Sequence, residues 1–401
     1  MKITIVGGGF GGVKAALELS RNSKNTITLI SDKPNFQYYP TLYSSATGRS
    51  HRESWTPLGE IFADRANVFV SIDTIESLDA EKKCVVGSSG TEYPYETIIF
   101  SLGVVTTYFG IPGLDTYTYG IKSEEEILRL KQRLFIDIAE KGQIDSNYVI
   151  IGGGPTGVEL SAAIGTYIKR LCRHYKVKNR KVNVRLIEAM PRILPRSSEL
   201  VSRVVTNRLK RLGVSVETGK KVESASAESL AVSGTSLSSH TVIWTSGVSN
   251  HPFFAKYPDV FKLNRGGRVE VDQYLSVSKN IFVIGDNAVT PYMGLAQTAV
   301  HNAVAVARNL ERRAHGKKMK AYKPLLPATA VPVGRNWAVV EWRGIRVFGL
   351  IGSIIRRAAD IVGFHDILPF GTSIGAWRAA YVYENNYFTP SSDTEPTKSK
   401  R

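Results

Sequence analysis

Two stretches of the chain share one order of hydrophobic and polar positions. In the first, the β-branched run "KITIVGG" is followed by "FGGVKAALELSRN", in which apolar residues recur at helical spacing, and then by the strand-like run "NTITLIS". The same order returns as "NYVIIGG", "PTGVELSAAIGTYIKRL" and "VNVRLIEA". Each stretch predicts a βαβ unit, and further strand-like runs follow each unit, so the repeat is about one domain long.

The repeat predicts an α/β fold with two Rossmann-like dinucleotide-binding domains and a C-terminal helical segment. Segments rich in Gly, Pro and turn-forming residues at 102–114 and 245–254 are the expected crossings between the two domains. The predicted boundaries are 1–110 for the first part of domain one, 111–249 for domain two, 250–324 for the second part of domain one, 325–390 for the C-terminal region and 391–401 for a polar, disordered tail.

Both glycine segments have GxGxxG spacing between a predicted strand and a predicted helix. The first glycine permits a tight turn, the second lets backbone amides approach a diphosphate, and the third allows close packing of helix on strand. The helix N-terminus then faces the anion. The sequence predicts two dinucleotide sites, against the alternative of glycine-rich turns without a ligand; the glycines are Gly7, Gly9 and Gly12 in the first loop and Gly152, Gly154 and Gly157 in the second.

The strand after each glycine loop ends where the ribose of a dinucleotide is bound. Glu188 ends the second of these strands, and a carboxylate there accepts hydrogen bonds from both ribose hydroxyls and repels a 2'-phosphate. The second site is therefore expected to prefer NADH over NADPH, unless Arg192 turns inward; the alternative is that Glu188 is an ordinary exposed acid. Ser31 and Asp32 occupy the matching position in the first site.

Composition narrows the class of protein. With 52 Lys and Arg against 35 Asp and Glu, the formal net charge is +17, which suits a polyanion or an anionic membrane surface. Neither a zinc finger nor an RNP motif is present, so nucleic acid is not expected. Cys84 and Cys172 form no CxxC arrangement, which leaves a disulfide framework and a thiol redox pair without support. Residues 3–6 are too short an apolar run for a signal peptide.

The stretch "NIFVIGDNA", at 280–288, together with both glycine loops, resembles the flavin-dependent two-dinucleotide-binding oxidoreductases. Three more stretches, "NFQYYPTLYSSATG", "TVIWTSGV" and "LAQTAVHNA", resemble type II NADH dehydrogenases, the single-chain NADH:quinone oxidoreductases of the FAD-dependent pyridine nucleotide-disulfide oxidoreductase superfamily. The resemblance covers roughly residues 1–310. It implies FAD in the first site, NADH in the second, and transfer of a hydride to FAD and then of two electrons to a respiratory-chain quinone, without proton pumping.

The resemblance also implies roles for individual residues. Asp286 bonds the FAD ribityl chain; Gln297, at the start of a helix facing the isoalloxazine ring, donates to a flavin or quinone carbonyl; Glu159 lies at the nicotinamide end; and Arg356 approaches the flavin. Gln297 and Glu159 are the expected catalytic residues, and no metal site is expected. The expected FAD contacts are Gly7, Gly9, Phe10, Gly11, Gly12, Ser31, Asp32, Ile75, Gly103, Asp286, Ala296, Gln297 and Arg356, and the expected NADH contacts are Gly152, Gly154, Pro155, Thr156, Gly157, Glu159, Glu188 and Gly247.

The chain departs from its relatives at Ala163, where they commonly carry a second acid four residues after the equivalent of Glu159. A role given to that acid does not transfer. His301 stands where the family more often has glutamine, and is either a quinone contact or a plain helix-surface histidine. The stretch "YYPTLYSSATG" lacks the cysteine pair of disulfide reductases, and Cys84 and Cys172 are not placed to act as the cysteines of sulfide:quinone oxidoreductases.

Residues 346–388 contain no run of eighteen uncharged apolar residues, so they are not expected to cross a bilayer. Apolar residues at helical spacing beside several arginines, with Trp377, Tyr381 and Tyr383 near one end, favour a helix in the interface of an anionic membrane. The protein is then peripheral, on the cytoplasmic face of the plasma membrane. The alternative is packing on the body or on a second subunit in a homodimer. For the function, two alternatives remain: an NADH-reducible signalling or scaffold flavoprotein of the apoptosis-inducing-factor type, and an oxidoreductase with another acceptor, such as ferredoxin or oxygen.

Overall fold

The computed structural model describes residues 1–178 and 181–384. The predicted disordered tail, 391–401, lies outside the described residues. Within the described part of the chain no helix is long and apolar enough to cross a membrane. The helices are α1 (Phe10–Leu19), α2 (Leu42–Ala46), α3 (Leu58–Ile61), α4 (Leu114–Tyr117), α5 (Glu124–Phe135), α6 (Pro155–His174), α7 (Glu199–Arg211), α8 (Ala296–Ala314), α9 (Gly349–His365) and α10 (Phe370–Ala379).

The first large sheet has six strands in the order β20-β21-β9-β1-β2-β5, where β21 comes from far along the chain and β20 alone runs antiparallel. Its central strands are rich in Val and Ile and buried on both faces, as parallel strands covered by helices require. Helices α1 and α8 pack against each other beside this sheet. The strands are β1 (Lys2–Val6), β2 (Thr26–Ser31), β5 (Val68–Ile72), β9 (Thr97–Phe100), β20 (Ser276–Ser278) and β21 (Ile281–Val283).

The second large sheet is wholly parallel, in the order β11-β18-β12-β13-β14. Its glycine-loop strand, β12, lies between the strand that follows helix α6 and the strand that leads out of the domain, as β1 does in the first sheet. The sheet therefore repeats the Rossmann arrangement. The strands are β11 (Thr118–Tyr119), β12 (Tyr148–Ile151), β13 (Val184–Glu188), β14 (Val214–Thr218) and β18 (Thr241–Trp244).

Smaller antiparallel sheets lie in the segments between the strands of the two large sheets. The two predicted crossings between domains pair with each other, because β10 and β19 form a two-stranded ladder from Val104↔Asn250 to Thr106↔Val248. The remaining small sheets are built from β3 (Asn35–Gln37) and β4 (Trp55–Pro57), from β6 (Ile75–Asp79), β7 (Cys84–Gly87) and β8 (Glu92–Pro94), from β10 (Val104–Thr106) and β19 (Val248–Asn250), and from β15 (Val222–Ala225), β16 (Ser229–Val232) and β17 (Thr235–Ser238).

The C-terminal region begins with a sheet that the sequence prediction of a helical segment omitted. Three antiparallel strands precede the helices, and residue 346, where the helical pattern was expected to start, lies in the last of them. Helix α9 begins only at Gly349, where the backbone φ is +77°. Short strands of this kind are decided by their partner strands more than by their own pattern. They are β22 (Thr329–Pro332), β23 (Ala338–Trp342) and β24 (Ile345–Phe348).

Candidate functional site

The first glycine loop leaves no room for side chains at two of its three glycines. Gly7 has φ +117°, and a Cβ there would lie 2.1 Å from the carbonyl oxygen of Ser101. A Cβ on Gly12 would lie 1.9 Å from the carbonyl oxygen of Gly7. Gly9 instead faces open space, with no atom within 4 Å of a Cβ built on it. The loop thus holds itself together through Gly7 and Gly12 and presents bare backbone at Gly9, directly before α1.

The second loop repeats this arrangement at the matching glycines. Gly152 has φ +113° and a Cβ there would meet Ser246 Oγ at 2.1 Å, while a Cβ on Gly157 would meet the carbonyl oxygen of Gly152 at 1.9 Å. Gly154, like Gly9, has nothing within 4 Å. Pro155 and Thr156 then open helix α6. Both loops therefore leave open space beside a helix N-terminus that no side chain caps, where backbone amides and the helix dipole would stabilise a diphosphate.

The acids at the strand ends differ between the two sites. Glu188 ends β13, and its carboxylate accepts hydrogen bonds from the amide of Gly153 at 2.5 Å and from that of Met190 at 2.7 Å. It is therefore fixed beside the second glycine loop. In the first site Ser31 is buried, and its hydroxyl donates to the carbonyl of Lys33 at 2.7 Å, whereas Asp32 is exposed at the mouth of the site. Asp32 is thus the freer of the two to bind a ribose.

Arg192 does not turn toward Glu188. Its guanidinium donates to the carbonyls of Leu194, Pro195 and Ser197, at 2.8 to 3.2 Å. Those bonds hold the arginine in the loop that follows β13.

Three further expected FAD contacts lie around the first loop. Phe10, the first residue of α1, is nearly buried and packs edge-on against Phe36 at 5.0 Å between ring centroids. Gly11 has no space for a side chain, because a Cβ would lie 2.5 Å from Ser101 Oγ. The side chain of Ile75 is buried in the core that β6 and β7 share with Val6 and Phe100.

Asp286 is half-buried in the short turn after β21, and its Oδ1 accepts a hydrogen bond from the amide of Gly294 at 3.0 Å. Burial raises the pKa of this carboxyl, while that amide and the nearby Arg268 and Arg196 act in the opposite direction. No residue in the described part of the chain bonds its other oxygen, which a hydroxyl of a ligand could reach.

Asn287, which the sequence analysis missed, connects the Asp286 turn to both crossings between the domains. The side chain is fully buried; its amide nitrogen donates to the carbonyl of Gly103 at 2.6 Å and to Asn250 Oδ1 at 2.7 Å, and its oxygen accepts from the amide of Gly103 at 2.9 Å. Gly103 has φ +71°, which suits glycine. The turn that is expected to hold the ribityl chain is therefore hydrogen-bonded directly to both crossings between the domains.

Helix α8 begins at Ala296, and Gln297 is exposed at its first turn. The backbone of Gly285 is held by Asn302 of the same helix, with the amide donating to Asn302 Oδ1 at 3.1 Å. His301 is half-buried, and burial lowers its pKa. The start of α8 thus faces the Asp286 side of the first site, with one uncharged donor, Gln297, unengaged by the described residues.

Arg356 belongs to a buried cluster that joins α9 to the first domain. Its guanidinium pairs with Asp360 and donates to the carbonyl of Pro40 at 3.2 Å. Asp360 also accepts from the hydroxyl of Tyr38 at 3.4 Å. Glu159, five residues into α6, keeps a little exposed surface but is surrounded by protein, and burial raises its pKa to about 8, against the opposing effect of Arg356. Glu159 is therefore mostly neutral at pH 7.

The two domains meet at the carboxyl ends of their sheets. Lys122 donates from Nζ to the carbonyl of Gly247 at 3.1 Å, and its own carbonyl accepts from Gln37 Nε2 at 2.6 Å. Lys33 pairs with Glu125 at 3.1 Å. Gly247 itself has φ +67°, and a Cβ there would lie 2.4 Å from the carbonyl oxygen of Thr107. These contacts join the segment that follows β2 in the first domain to the segments that follow β11 and β18 in the second.

The donor sets of the two loops suit dinucleotides. Each loop has bare backbone next to open space at a helix N-terminus, and an acid lies at the neighbouring strand end, which is what a diphosphate and a ribose need. Among the described residues no group of three or more His, Cys, Asp or Glu side chains is close enough to hold a metal ion.

Proteins of known function and solved structures resemble this chain in sequence and in fold. The chain is similar to the type II NADH:quinone oxidoreductase Ndh of Mycobacterium tuberculosis, at 27% identity over 95% of this chain and 88% of that protein. Its fold is similar to that of NDH2 from Plasmodium falciparum in complex with NADH, with a TM-score of 0.84, 19% identity and coverage of 95% and 97% of the two chains. It is also similar to the sulfide:quinone oxidoreductase of Aquifex aeolicus, with a TM-score of 0.78, 17% identity and coverage of 93% and 92%.

A family model described as pyridine nucleotide-disulphide oxidoreductase matches residues 1–303. That match includes both glycine loops, the interdomain crossings and the Asp286 turn. The chain belongs to the pyridine nucleotide-disulphide oxidoreductase family.

Proposed function

We propose that this protein is an FAD-dependent NADH:quinone oxidoreductase, with FAD at the first glycine loop and NADH at the second. The observation that carries the proposal is the pair of matching glycine loops, in which Gly9 and Gly154 each present backbone to open space at the start of a helix. The similarity to a protein named type II NADH:quinone oxidoreductase over almost the whole chain supports the choice of donor and acceptor.

When bound, FAD supplies the redox chemistry, since it accepts a hydride from NADH and passes two electrons to the acceptor. The protein would bind and orient the two nucleotides. Gly9 and the N-terminus of α1 would hold one diphosphate, Gly154 and α6 would hold the other, and Asp286 would hold the ribityl chain. Gln297, at the start of α8, would donate a hydrogen bond to a ring carbonyl, and the positive end of the helix dipole would stabilise negative charge there. Glu159, mostly neutral at pH 7, adds no charge beside the nicotinamide.

The positions of the cysteines argue against thiol chemistry. Cys84 lies in β7, where its thiol donates to the carbonyl of Val85, and Cys172 is buried in α6 within the core of the second domain. The two are in different domains, so they do not form the reactive pair that disulfide reductases need. This supports direct delivery of electrons to the acceptor.

The experiment that tests the function is an anaerobic titration followed by turnover. Purified protein should be yellow, NADH should bleach it, and a short-chain quinone should restore the colour and sustain rapid NADH oxidation. Slow bleaching that ends in a long-lived complex with NAD⁺ would support the signalling flavoprotein instead. Rapid turnover with ferredoxin or oxygen, but not with quinone, would show that the electron acceptor is not a quinone.

We further propose that the outer face of α9 and α10 binds the cytoplasmic surface of an anionic membrane. Helix α9 buries one side against the body, through Gly352, Ser353, Arg356 and Phe364, while a stripe of apolar residues on its other side faces outward. Arginines that surround this stripe suit a surface rich in anionic lipid. The outward apolar residues, which are 58% to 70% exposed, are Leu350, Ile351, Ile354, Val362 and Phe370, and the exposed arginines are Arg335, Arg343, Arg346, Arg357 and Arg378.

The packing separates the anchor residues from the structural ones. Trp377, expected from the sequence to lie in the membrane interface, is partly buried and donates from Nε1 to the carbonyl of Arg357 at 3.3 Å. Tyr383 lies between the guanidinium groups of Arg49 and Arg170, at 3.7 and 3.6 Å from its ring centroid. Trp377 thus joins α10 to α9 and Tyr383 holds the C-terminal region on the body, so Ile351 and Phe370 are the better test of membrane binding.

The double variant Ile351→Gln/Phe370→Gln should bind anionic vesicles at least tenfold more weakly. Each apolar side chain removed from the interface forfeits on the order of 1.5 kcal/mol or more. Vesicle cosedimentation measures the change, and binding of the wild type should weaken as salt rises. Phe69→Gln, at an exposed phenylalanine of β5, is the matched control and should bind normally. Unchanged vesicle binding with altered sedimentation of the free protein would instead assign this face to a homodimer.

A further inference from the structure

Phe109 is an exposed aromatic residue to which the proposed function gives no role. It lies after β10, in the first crossing between the domains, and 66% of the residue is exposed. Its backbone φ is +54°, in the left-handed region, where a residue with a bulky side chain is strained. An apolar ring left in water is unfavourable as well. The fold thus keeps two costly features at one residue, which is typical of a position that binds a ligand.

One side of the Phe109 ring is held by residues of the second crossing. A Cβ built on Gly247 would lie 2.8 Å from Cε2 of the ring, so the absence of a side chain at 247 is what lets the ring lie there. The ring also packs edge-on against Trp244, at 6.2 Å between ring centroids. Trp244 is itself buried, and its Nε1 donates to the carbonyl of Thr107 at 3.1 Å. The ring is therefore fixed on this side, and the rest of its surface is open.

The contact with Gly247 places the ring beside the second glycine loop. A Cβ on Gly152, the first glycine of that loop, would lie 2.1 Å from Oγ of Ser246, the residue before Gly247. The amide of Thr245 donates to the carbonyl of Ile151 at 2.9 Å. The backbone from 245 to 247 therefore runs along the loop, and Phe109 lies against the end of that segment.

The order of the strands indicates which half of a dinucleotide lies on this side of the loop. In the sheet β11-β18-β12-β13-β14, the glycine loop follows β12, Glu188 ends β13 on one side of it, and Gly247 follows β18 on the other side. A dinucleotide crosses the carboxyl ends of the strands of such a sheet. With the adenosine ribose at Glu188 and the diphosphate at Gly154, the nicotinamide half extends toward the end of β18. Phe109 is therefore on the nicotinamide side.

We propose that the open surface of Phe109 packs against the nicotinamide ring of the nucleotide at the second loop and helps to orient it. Contact between two aromatic rings is favourable beyond the apolar area that it buries. The nicotinamide ring of NAD⁺ also carries a positive charge, which the face of an aromatic ring attracts. The inference rests on the proposed function, because it names a further contact for the same NADH.

The test compares two ligands that differ in the nicotinamide ring. Phe109→Ala should bind NAD⁺ about tenfold more weakly than the wild type does, because the ring contact is lost. ADP-ribose, which lacks the nicotinamide, should bind with unchanged affinity. Isothermal titration calorimetry of the flavin-loaded protein measures both affinities without turnover. Phe69→Ala, at an exposed phenylalanine of β5, is the matched control and should leave both affinities as they are.

Two more variants at position 109 separate the ring from the backbone. Phe109→Gly also removes the ring, but glycine adopts a φ of +54° without strain, whereas alanine does not. A loss of NAD⁺ affinity that both variants share is therefore due to the ring. Phe109→Tyr keeps an aromatic ring and should bind NAD⁺ as the wild type does.

The two ligands also keep this inference apart from the proposed function. Equal NAD⁺ affinity in the wild type and Phe109→Ala would overturn the role of Phe109 while leaving the NADH site in place. Equal losses of affinity for NAD⁺ and ADP-ribose would overturn it too, because the change would then act on the whole site and not on the nicotinamide. A wild type that binds neither ligand would overturn the proposed function, and this inference with it.

Discussion

Gly9→Ala should give a colourless protein, whereas Gly154→Ala should give a yellow protein that NADH no longer bleaches. Neither substitution meets a neighbour, because a Cβ at either position has no atom within 4 Å. Both glycines also have backbone angles that alanine adopts, with φ of −86° and −70°. The folded protein should therefore accept either alanine, and the new methyl group should occupy the space left for a diphosphate.

The expected loss of affinity is large. Overpacking costs about 1–3 kcal/mol, and each backbone hydrogen bond to a charged group that is displaced costs about 1.5–3 kcal/mol more. A loss of about 3 kcal/mol or more is over 100-fold in the dissociation constant. Bound flavin is measured from the absorption spectrum of the purified protein, and NADH binding is measured by anaerobic bleaching.

The controls for this pair are Gly12→Ala and Gly157→Ala. In these two variants the Cβ would lie 1.9 Å from a carbonyl oxygen of the same loop, so they should unfold at lower temperature as well as lose their nucleotide. Gly9→Ala and Gly154→Ala should keep the melting temperature of the ligand-free protein. Normal flavin content in Gly9→Ala, or normal bleaching of Gly154→Ala by NADH, would contradict the assignment of the loop concerned.

Glu188→Gln should shift the choice between NADH and NADPH by about 10- to 100-fold toward NADPH. The wild-type carboxylate is held by the amides of Gly153 and Met190, so it has a fixed position beside the second glycine loop. Losing a charged acceptor for the ribose hydroxyls should weaken the binding of NADH by on the order of 1–3 kcal/mol. Removing the negative charge also removes the repulsion of the 2'-phosphate of NADPH.

The ratio of kcat/KM for the two nucleotides measures this shift. Glu228→Gln, at an exposed acid of the same domain, makes the same change of charge and should leave the ratio as it is. A wild type that uses NADPH as well as it uses NADH would show that Glu188 does not read the ribose.

Local sequence was sufficient for the two nucleotide-binding units. The glycine spacing, the β-branched runs before it and the helical spacing after it are all short-range patterns, and each loop is closed by its own residues, as Gly12 against Gly7 and Gly157 against Gly152 demonstrate. The antiparallel strands β22, β23 and β24 were not predicted, because a strand of four or five residues is stabilised by pairing with other strands.

The groups that complete the site were decided only by tertiary structure. Asn287 bonds to Gly103 across 184 positions, and Arg356 bonds to Pro40 across 316, so no spacing in the sequence connects either pair. Phe109 is one apolar residue in a turn-rich stretch of sequence, and only the folded chain places its ring against Gly247. The sequence by itself determined the two glycine loops at which we propose that dinucleotides bind, since a diphosphate is held by consecutive backbone amides. Tertiary structure decided how the two domains are connected and which carboxyl groups have a raised pKa. The reason is that burial and pairing depend on residues brought together from distant parts of the chain.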